Sequence, residues 1–232
     1  MSITANLSII IITRPDAPTL AQAKKSAQFA NEVLVIKKES ISDFAFVRNQ
    51  ALKKAKYEWV LFLDSDEIIT AESVSEIRRI IVENKLDGVY INRQDVFYDK
   101  PLKFGEAGST VLLRMGKKTK MKWQRPVHEI ANIRGEVGKS NIKILHYAHS
   151  SLQAFCNSIT NYAQLETNFR NQSNQSFYLC QLLFYPWGKF IYNYVIKLGF
   201  LDGWRGLSYA VMMSLHSLAV RVLQYELKHE KS

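Results

Sequence analysis

The chain has 232 residues, 47% of them hydrophobic, with a formal net charge of +10 and a pI near 9.5. That is enough apolar material for one large domain, or one domain with an appendage, and it excludes a wholly disordered chain. The positive balance points to an anionic partner: nucleic acid, a phosphorylated substrate or an acidic membrane surface.

Leu7 to Thr13 is a continuous apolar run and predicts a first buried strand. Pro15 and Pro18 end it and introduce a helix whose Leu20, Ala23, Ala27 and Ala30 recur at helical spacing. Glu32 to Lys37 predicts a second strand, and Phe44 to Lys56 a second helix with Val47, Ala51 and Ala55 on one face. Trp59 to Leu63 is a third apolar run. Strand, helix, strand, helix, strand is the α/β pattern of a mostly parallel, Rossmann-like sheet flanked by helices.

The third strand is the one that carries chemistry. Its apolar half, Trp59-Val-Leu-Phe-Leu63, stops abruptly in Asp64-Ser-Asp66-Glu67. Open α/β sheets bind ligands at the carboxyl ends of their strands. Two Asp separated by one residue point the same way in extended chain. Close like charges repel unless a cation or a proton is shared. Mg²⁺ takes one or two carboxylates and completes its shell with substrate phosphates. The pattern therefore predicts a metal–diphosphate site. The plainer alternative is that Asp64 starts a turn and Glu67 caps the following helix.

Ala71 to Asn84 predicts that helix. Strands are expected at Gly88–Asn92 and Ser109–Met115, with an irregular, aromatic, acceptor-side loop from Gln94 to Gly108 between them. Lys117, Lys118, Lys120, Lys122 and Arg125 form a basic patch around Met121 and Trp123, and Val127-His128-Glu129 follows. Ile142 to Tyr147 is a last strand, ending near His146 and His149.

Beyond it the character changes. Ser151 to Arg170 reads as a polar helix and Gly206 to Leu227 as an apolar one. Phe177 to Phe200 is aromatic-rich but broken by Pro186, Gly188, Lys189 and Lys197. Neither apolar stretch is a clean run of ~18 to 20 residues, so no spanning helix is expected. Aromatics mixed with cations at helix ends suit a headgroup interface, a buried subdomain or a dimer face. Cys156 and Cys180 have no metal or redox spacing and fit a reducing compartment.

Taken together, Arg48-Asn49-Gln-Ala-Leu, Trp59 through Glu67, Val127-His128-Glu129 and His146-Tyr147 resemble glycosyltransferase family 2. These are inverting enzymes of the GT-A fold. The tail Gly199-Phe-Leu-Asp202-Gly203-Trp-Arg-Gly206 is similar to the lipopolysaccharide-core β-glycosyltransferases within that family. The resemblance spans nearly the whole chain. It implies a GT-A-like domain over residues 1–150, a helical, membrane-associating region over 151–232, a nucleotide-sugar donor and a divalent cation, Mg²⁺ or Mn²⁺. One departure stands out. The family's acidic, Ser/Thr-rich turn after the second strand, whose Asp contacts the nucleotide base, is here Ile36-Lys-Lys-Glu-Ser-Ile-Ser-Asp43, shortened and led by lysines.

The resemblance implies a metal held by Asp66, with Asp64 on the ribose or a metal-bound water. Thr13 and Arg48 complete the donor side. A single displacement needs one base for the acceptor hydroxyl; Glu129 is the candidate and Glu67 its competitor. His128 is a candidate third metal ligand or an orienter of Glu129, and His146 stands on similar ground. Arg114 and Arg125 are candidates for anionic substrate groups.

Two rival readings exist. Val60-Leu-Phe-Leu-Asp64-Ser-Asp66 also resembles the nucleophile strand of haloacid-dehalogenase-type phosphatases, but no Gly-Asp-x-x-x-Asp pair follows residue 100. The other is a non-catalytic, membrane-binding protein built on a degenerate GT-A domain. No nucleic-acid-binding motif occurs, so the positive charge is assigned to phosphate and lipid. The expected partners are a nucleotide sugar, a glycan or glycolipid acceptor and an anionic membrane. The expected location is cytoplasmic, peripheral at the inner membrane face.

Overall fold

The computed structural model describes residues 6–41, 43–125, 129–149, 152–172 and 177–229. They form two compact bodies: Met1–Gln94 with Thr110–His146, and Asp95–Ser109 with Tyr147–Ser232.

The first body alternates strand and helix: β1 (Leu7–Thr13), α1 (Leu20–Ser26), β2 (Glu32–Lys37), α2 (Phe44–Lys54), β3 (Trp59–Asp64), β4 (Glu67–Ile69) and α3 (Ala71–Glu83). Then come β5 (Gly88–Phe97), β6 (Lys100–Pro101), β7 (Thr110–Lys117), β8 (Met121–Gln124), β9 (Ile130–Ile133) and β10 (Val137–His149). The main sheet runs β2-β1-β3-β7-β5-β10-β4, with β6 on β5, and β8–β9 form a separate hairpin. The sheet is mixed. β2, β1 and β3 are parallel, as helical crossovers require, whereas β7 joins β3 and β5 antiparallel.

All seven residues of β1 are buried. Alternation sends Ile9 and Ile11 with Trp59, Leu61 and Leu63 to the face covered by α1 and α3. It sends Ile10 and Ile12 with Val60 and Phe62 to the face covered by α2 and the β8–β9 hairpin. That is why both strands read as unbroken apolar runs. The hairpin reaches the sheet over two glycines paired across β5 and β7, Gly88 and Gly116. A Cβ on either would collide with Ile133 Cδ1. Ile12 lies opposite Asp64 in the β1–β3 register, so Thr13 and the acids of β3 share one edge of the sheet.

Local signals set the helix ends. Asp43 accepts a hydrogen bond from the Phe46 amide at 2.8 Å and caps α2. Its carboxylate is thus used for capping. Thr70 occupies the N-cap position of α3, and Asn84, in the left-handed conformation, ends that helix. Glu67 is not a helix cap.

The second body contains α4 (Leu152–Gln172), α5 (Cys180–Ile191) and α6 (Trp204–His229), with a π-helical turn at Tyr192–Ile196 and a 3-10 turn at Gly199–Asp202. The stretch read as an irregular loop is more ordered than expected: β5 continues to Phe97 and pairs with β6. Segment 95–109 then folds with the helices. Asp202 accepts from the Lys103 and Phe104 amides, both at 2.9 Å. Glu106 pairs with Lys189 at 2.7 Å and accepts from Asn193. Phe97, Leu102, Ala107, Phe155 and Met212 make the core. Gly206 packs on Gly199, where a Cβ would overlap the Gly199 carbonyl. The tail motif singled out in the sequence therefore builds this corner.

α5 runs through Pro186 rather than ending there. α6 packs along α4 and α5. It is longer than the sequence suggested, and an 18-residue window has mean hydropathy 1.3, enough by length and composition to cross a membrane.

Candidate active site

The carboxyl end of β3 delivers Asp64, and the tight β3–β4 connection turns Glu67 back so that its Oε2 accepts from the Asp64 amide at 2.9 Å. Glu67 is 1% exposed. A carboxylate so deep needs a cation. Arg114 on β7 supplies it, with Nη1 3.1 and 2.9 Å from the two Glu67 oxygens. The same nitrogen lies 2.7 Å from Asp64 Oδ2. Arg93, on the neighbouring strand β5, stands 3.8 Å from Glu67 Oε1.

Arg48 reaches the site from α2 and is 2% exposed. Its Nη2 lies 3.0 Å from Asp64 Oδ1 and 3.0 Å from Glu129 Oε1. Its Nε donates to the same Glu129 oxygen at 3.1 Å. The guanidinium plane is held against Trp123, with its carbon 4.6 Å from the ring centroid, and Phe62 stands edge-on to Trp123. Asn49 fixes Trp123 by a reciprocal pair with its backbone, both bonds 2.9 Å. The Arg48-Asn49 dipeptide thus has a division of labour: Asn49 locks the aromatic wall and Arg48 lies on it.

Two arginines therefore bracket Asp64. Burial alone would raise its pKa; Arg114 and Arg48 outweigh that and hold it well below the ordinary carboxylate range. Glu67 moves the other way. Burial raises it, Arg114 opposes, and the charge of Asp64 adds to the rise. Arg114, despite burial, is held above its ordinary value by Asp64 and Glu67.

Asp66 is different. It is partly exposed, and no guanidinium pairs with it among the described residues. Its Oδ2 lies 3.4 Å from His146 Nε2, where β10 runs antiparallel to β4 and sets His146 opposite Glu67. The carboxylate oxygens of Asp66 suit Mg²⁺ or Mn²⁺, whereas an imidazole nitrogen suits softer divalent metals. Both oxygens of Asp64, by contrast, are taken by guanidiniums. Among the described residues no cluster of three or more His, Cys, Asp or Glu assembles. His128, the candidate third ligand, lies outside the described residues.

Of the residues singled out in the sequence, Arg48, Asp64, Glu67 and Glu129 form one connected network, and Asp66 sits beside it with His146. Thr13 is 4% exposed, at the same sheet edge, and donates to the Arg14 carbonyl at 2.9 Å. Arg93 was not singled out in the sequence, and Arg114, a candidate there for anionic substrate groups, pairs with Asp64 and Glu67. The available signal was an arginine inside an apolar strand segment, which demands a buried acid as partner. Held by two guanidiniums, Asp64 is poorly placed as the attacking carboxylate of a phosphatase.

The mixed α/β sheet thus carries acids, arginines and an Asp–His pair at one strand edge. The sequence of residues 5–133 matches the model of Glycosyl transferase family 2, which is more than half the chain. The protein belongs to that family and is a glycosyltransferase. It is similar in fold to the mannosyltransferase PcManGT from Pyrobaculum calidifontis, solved with GDP-Man and Mn²⁺. Identity is 9%, the match covers 95% of this chain and 87% of that one, and the TM-score is 0.50. TarS 1-349 from S. aureus matches with 15% identity over 97% of this chain and 91% of that one, at a TM-score of 0.43. TarS 1-349 in complex with UDP-GlcNAc matches with 12% identity over 97% and 92%, at 0.40.

Proposed function

We propose that the protein transfers a sugar, with inversion, from a nucleotide-sugar donor to a lipid-linked or lipopolysaccharide-type glycan acceptor. The observation that carries this is Arg48, one buried cation that joins Asp64 on the donor side to Glu129 on the acceptor side. A single displacement needs leaving-group stabilisation and a base fixed relative to each other, and Arg48 ties the two.

Asp66, with His146 beside it, would hold a divalent cation, which would supply Lewis-acid neutralisation of the leaving diphosphate. Asp64, kept ionised and immobile by Arg48 and Arg114, orients the ribose. Thr13 lines the donor edge. Glu129 takes the proton from the acceptor hydroxyl; Arg48 contacts only Oε1, and among the described residues Oε2 has no hydrogen bond. Glu67, held by Arg114 and the Asp64 amide, positions rather than reacts. The short, lysine-led turn after β2 and the use of Asp43 as a helix cap mean that the nucleotide base is recognised by other groups.

The acceptor side rests on charge and surface. The net charge is +10. α5, the turns after it and the start of α6 expose Leu183, Phe184, Trp187, Ile196 and Trp204, with Lys197 exposed in the turns and Arg205 against Trp204. Such a surface suits peripheral attachment to the cytoplasmic face of an anionic membrane, next to a lipid-linked acceptor. The test is the anomeric configuration of the product by NMR. An α-linked donor should give a β-linked product; an α-linked product would remove the role assigned to Glu129.

A further inference from the structure

Between α4, α5 and α6, within the second body, lies a cavity of about 610 Å³ lined by Glu166, Arg170, Tyr185, Lys189, His216 and Arg221. Its cations are not equivalent. Arg170 is paired with Glu166 at 2.7 Å and Lys189 with Glu106 at 2.7 Å. Arg221 is 4% exposed and, among the described residues, has no carboxylate partner. Its Nη1 donates to Gln224, a neutral side chain, and its guanidinium lies 4.3 Å from the centroid of the Tyr185 ring. Among the described residues, Arg221 Nε and, on the same helix, His216 Nε2 are buried with no hydrogen-bond partner.

A buried guanidinium without an anion is costly, and a phosphate seated against Arg221 removes that cost. The planar fork of arginine matches the oxygens of a phosphate. The wall of the cavity includes Phe184, which continues into exposed Leu183 and Trp187 on α5. A free, fully hydrated ion gains nothing from such a rim, but a headgroup carrying acyl chains does. We propose that this cavity binds a phosphate group against Arg221, and that the phosphate is carried by a membrane lipid. This deepens the membrane attachment proposed above. Its test reads lipid binding and not sugar transfer, so the two can fail separately.

The experiment uses the full chain with vesicles of phosphatidylglycerol in phosphatidylcholine, with phosphatidylcholine vesicles and inorganic phosphate as separate arms. The wild type should sediment with the phosphatidylglycerol vesicles. Arg221→Met, similar in length but uncharged, should lose more than about tenfold in affinity, the scale seen when a buried charge loses its counterpart. Its Tm should be unchanged or higher, because an unpaired buried charge has gone. Lys24→Gln, which removes an exposed cation of α1 outside the proposed membrane-binding surface, should change affinity by less than about twofold. Should Arg221→Met fold poorly, Arg221→Lys keeps the charge but not the fork, and its affinity should still fall. Wild-type affinity in Arg221→Met or, if that variant does not fold, in Arg221→Lys would overturn the site. Inorganic phosphate bound as tightly as the vesicles would overturn the lipid as its carrier.

Discussion

Arg48 Nη2 lies 3.0 Å from Asp64 Oδ1, behind the end of β3, in a space where the arginine side chain is 3% exposed. The pair is not symmetric: Asp64 keeps Arg114 if Arg48 is lost, whereas Glu129 has no second cation among the described residues. Arg48→Met should therefore release Glu129 more than Asp64. Breaking a buried pair from one side costs ~3–5 kcal/mol when both partners are fully buried. Partial exposure of Asp64 and Glu129 puts the loss here below that range. Donor affinity should fall modestly and turnover by ~10² or more. Thermal unfolding with steady-state kinetics separates the two effects.

Glu129 and Glu67 are rivals as the base, and their surroundings differ. Glu67 is sealed by Arg114 and the Asp64 amide; Glu129 is the more open. Glu129→Gln should lower turnover by ~10² or more and leave donor binding intact. Glu67→Gln should instead lower Tm and weaken donor binding, since it unbalances Arg114. A folded, donor-binding but inactive Glu67→Gln beside an active Glu129→Gln would reverse the assignment.

The acid limb of stability has a named contributor away from the site. Asp87 accepts from Lys120 and the Glu136 amide and lies 3.2 Å from Lys117; the Lys120 hydrogen bond leads in pulling its pKa down to about 2, from 3.8. A depressed folded-state pKa gives stability that is complete above the unfolded value and is lost as pH falls through the folded one. The wild-type Tm should thus decline between about pH 4 and pH 2, and Asp87→Asn should flatten that part of the curve while lowering the plateau above pH 4. Equal slopes in the two proteins would refute the linkage.

The corner where the 3-10 turn meets α6 has no room. Gly206→Ala would drive a methyl into the Gly199 carbonyl and prise the turn from the helix. Overpacking of this kind costs ~1–3 kcal/mol, visible as a lower urea midpoint. Gly188→Ala, with open space around it, should be neutral or slightly stabilising.

How much of this the sequence showed depends on the range of the interaction. β1 and β3 were legible because strands buried on both faces leave unbroken apolar runs. Asp64, Asp66 and Glu129 were legible because acids that end a buried strand, or follow a basic aromatic stretch, stand out locally. The bracketing of Asp64 was not. Arg48 and Arg114 are 16 and 50 residues from it in the chain, and only the order β3-β7-β5 brings Arg114 and Arg93 to Glu67. The joining of segment 95–109 to the C-terminal helices was hidden for the same reason. It rests on Asp202 and Asn193 reaching backbone amides, which no periodicity reports. Pro186 misled locally, because one lost backbone donor did not outweigh the packing of α5 on α6.

The proposed turnover of a nucleotide sugar at a cation held by Asp66 can be tested directly. The most direct measurement is release of nucleoside diphosphate from a panel of UDP-, GDP- and ADP-sugars by the wild type and Asp66→Ala, each with Mn²⁺ and with chelator. At least one donor should be hydrolysed slowly by the wild type with Mn²⁺, and that release should vanish with chelator and in a folded Asp66→Ala. Release unaffected by either change, or no release from any donor, would contradict the account.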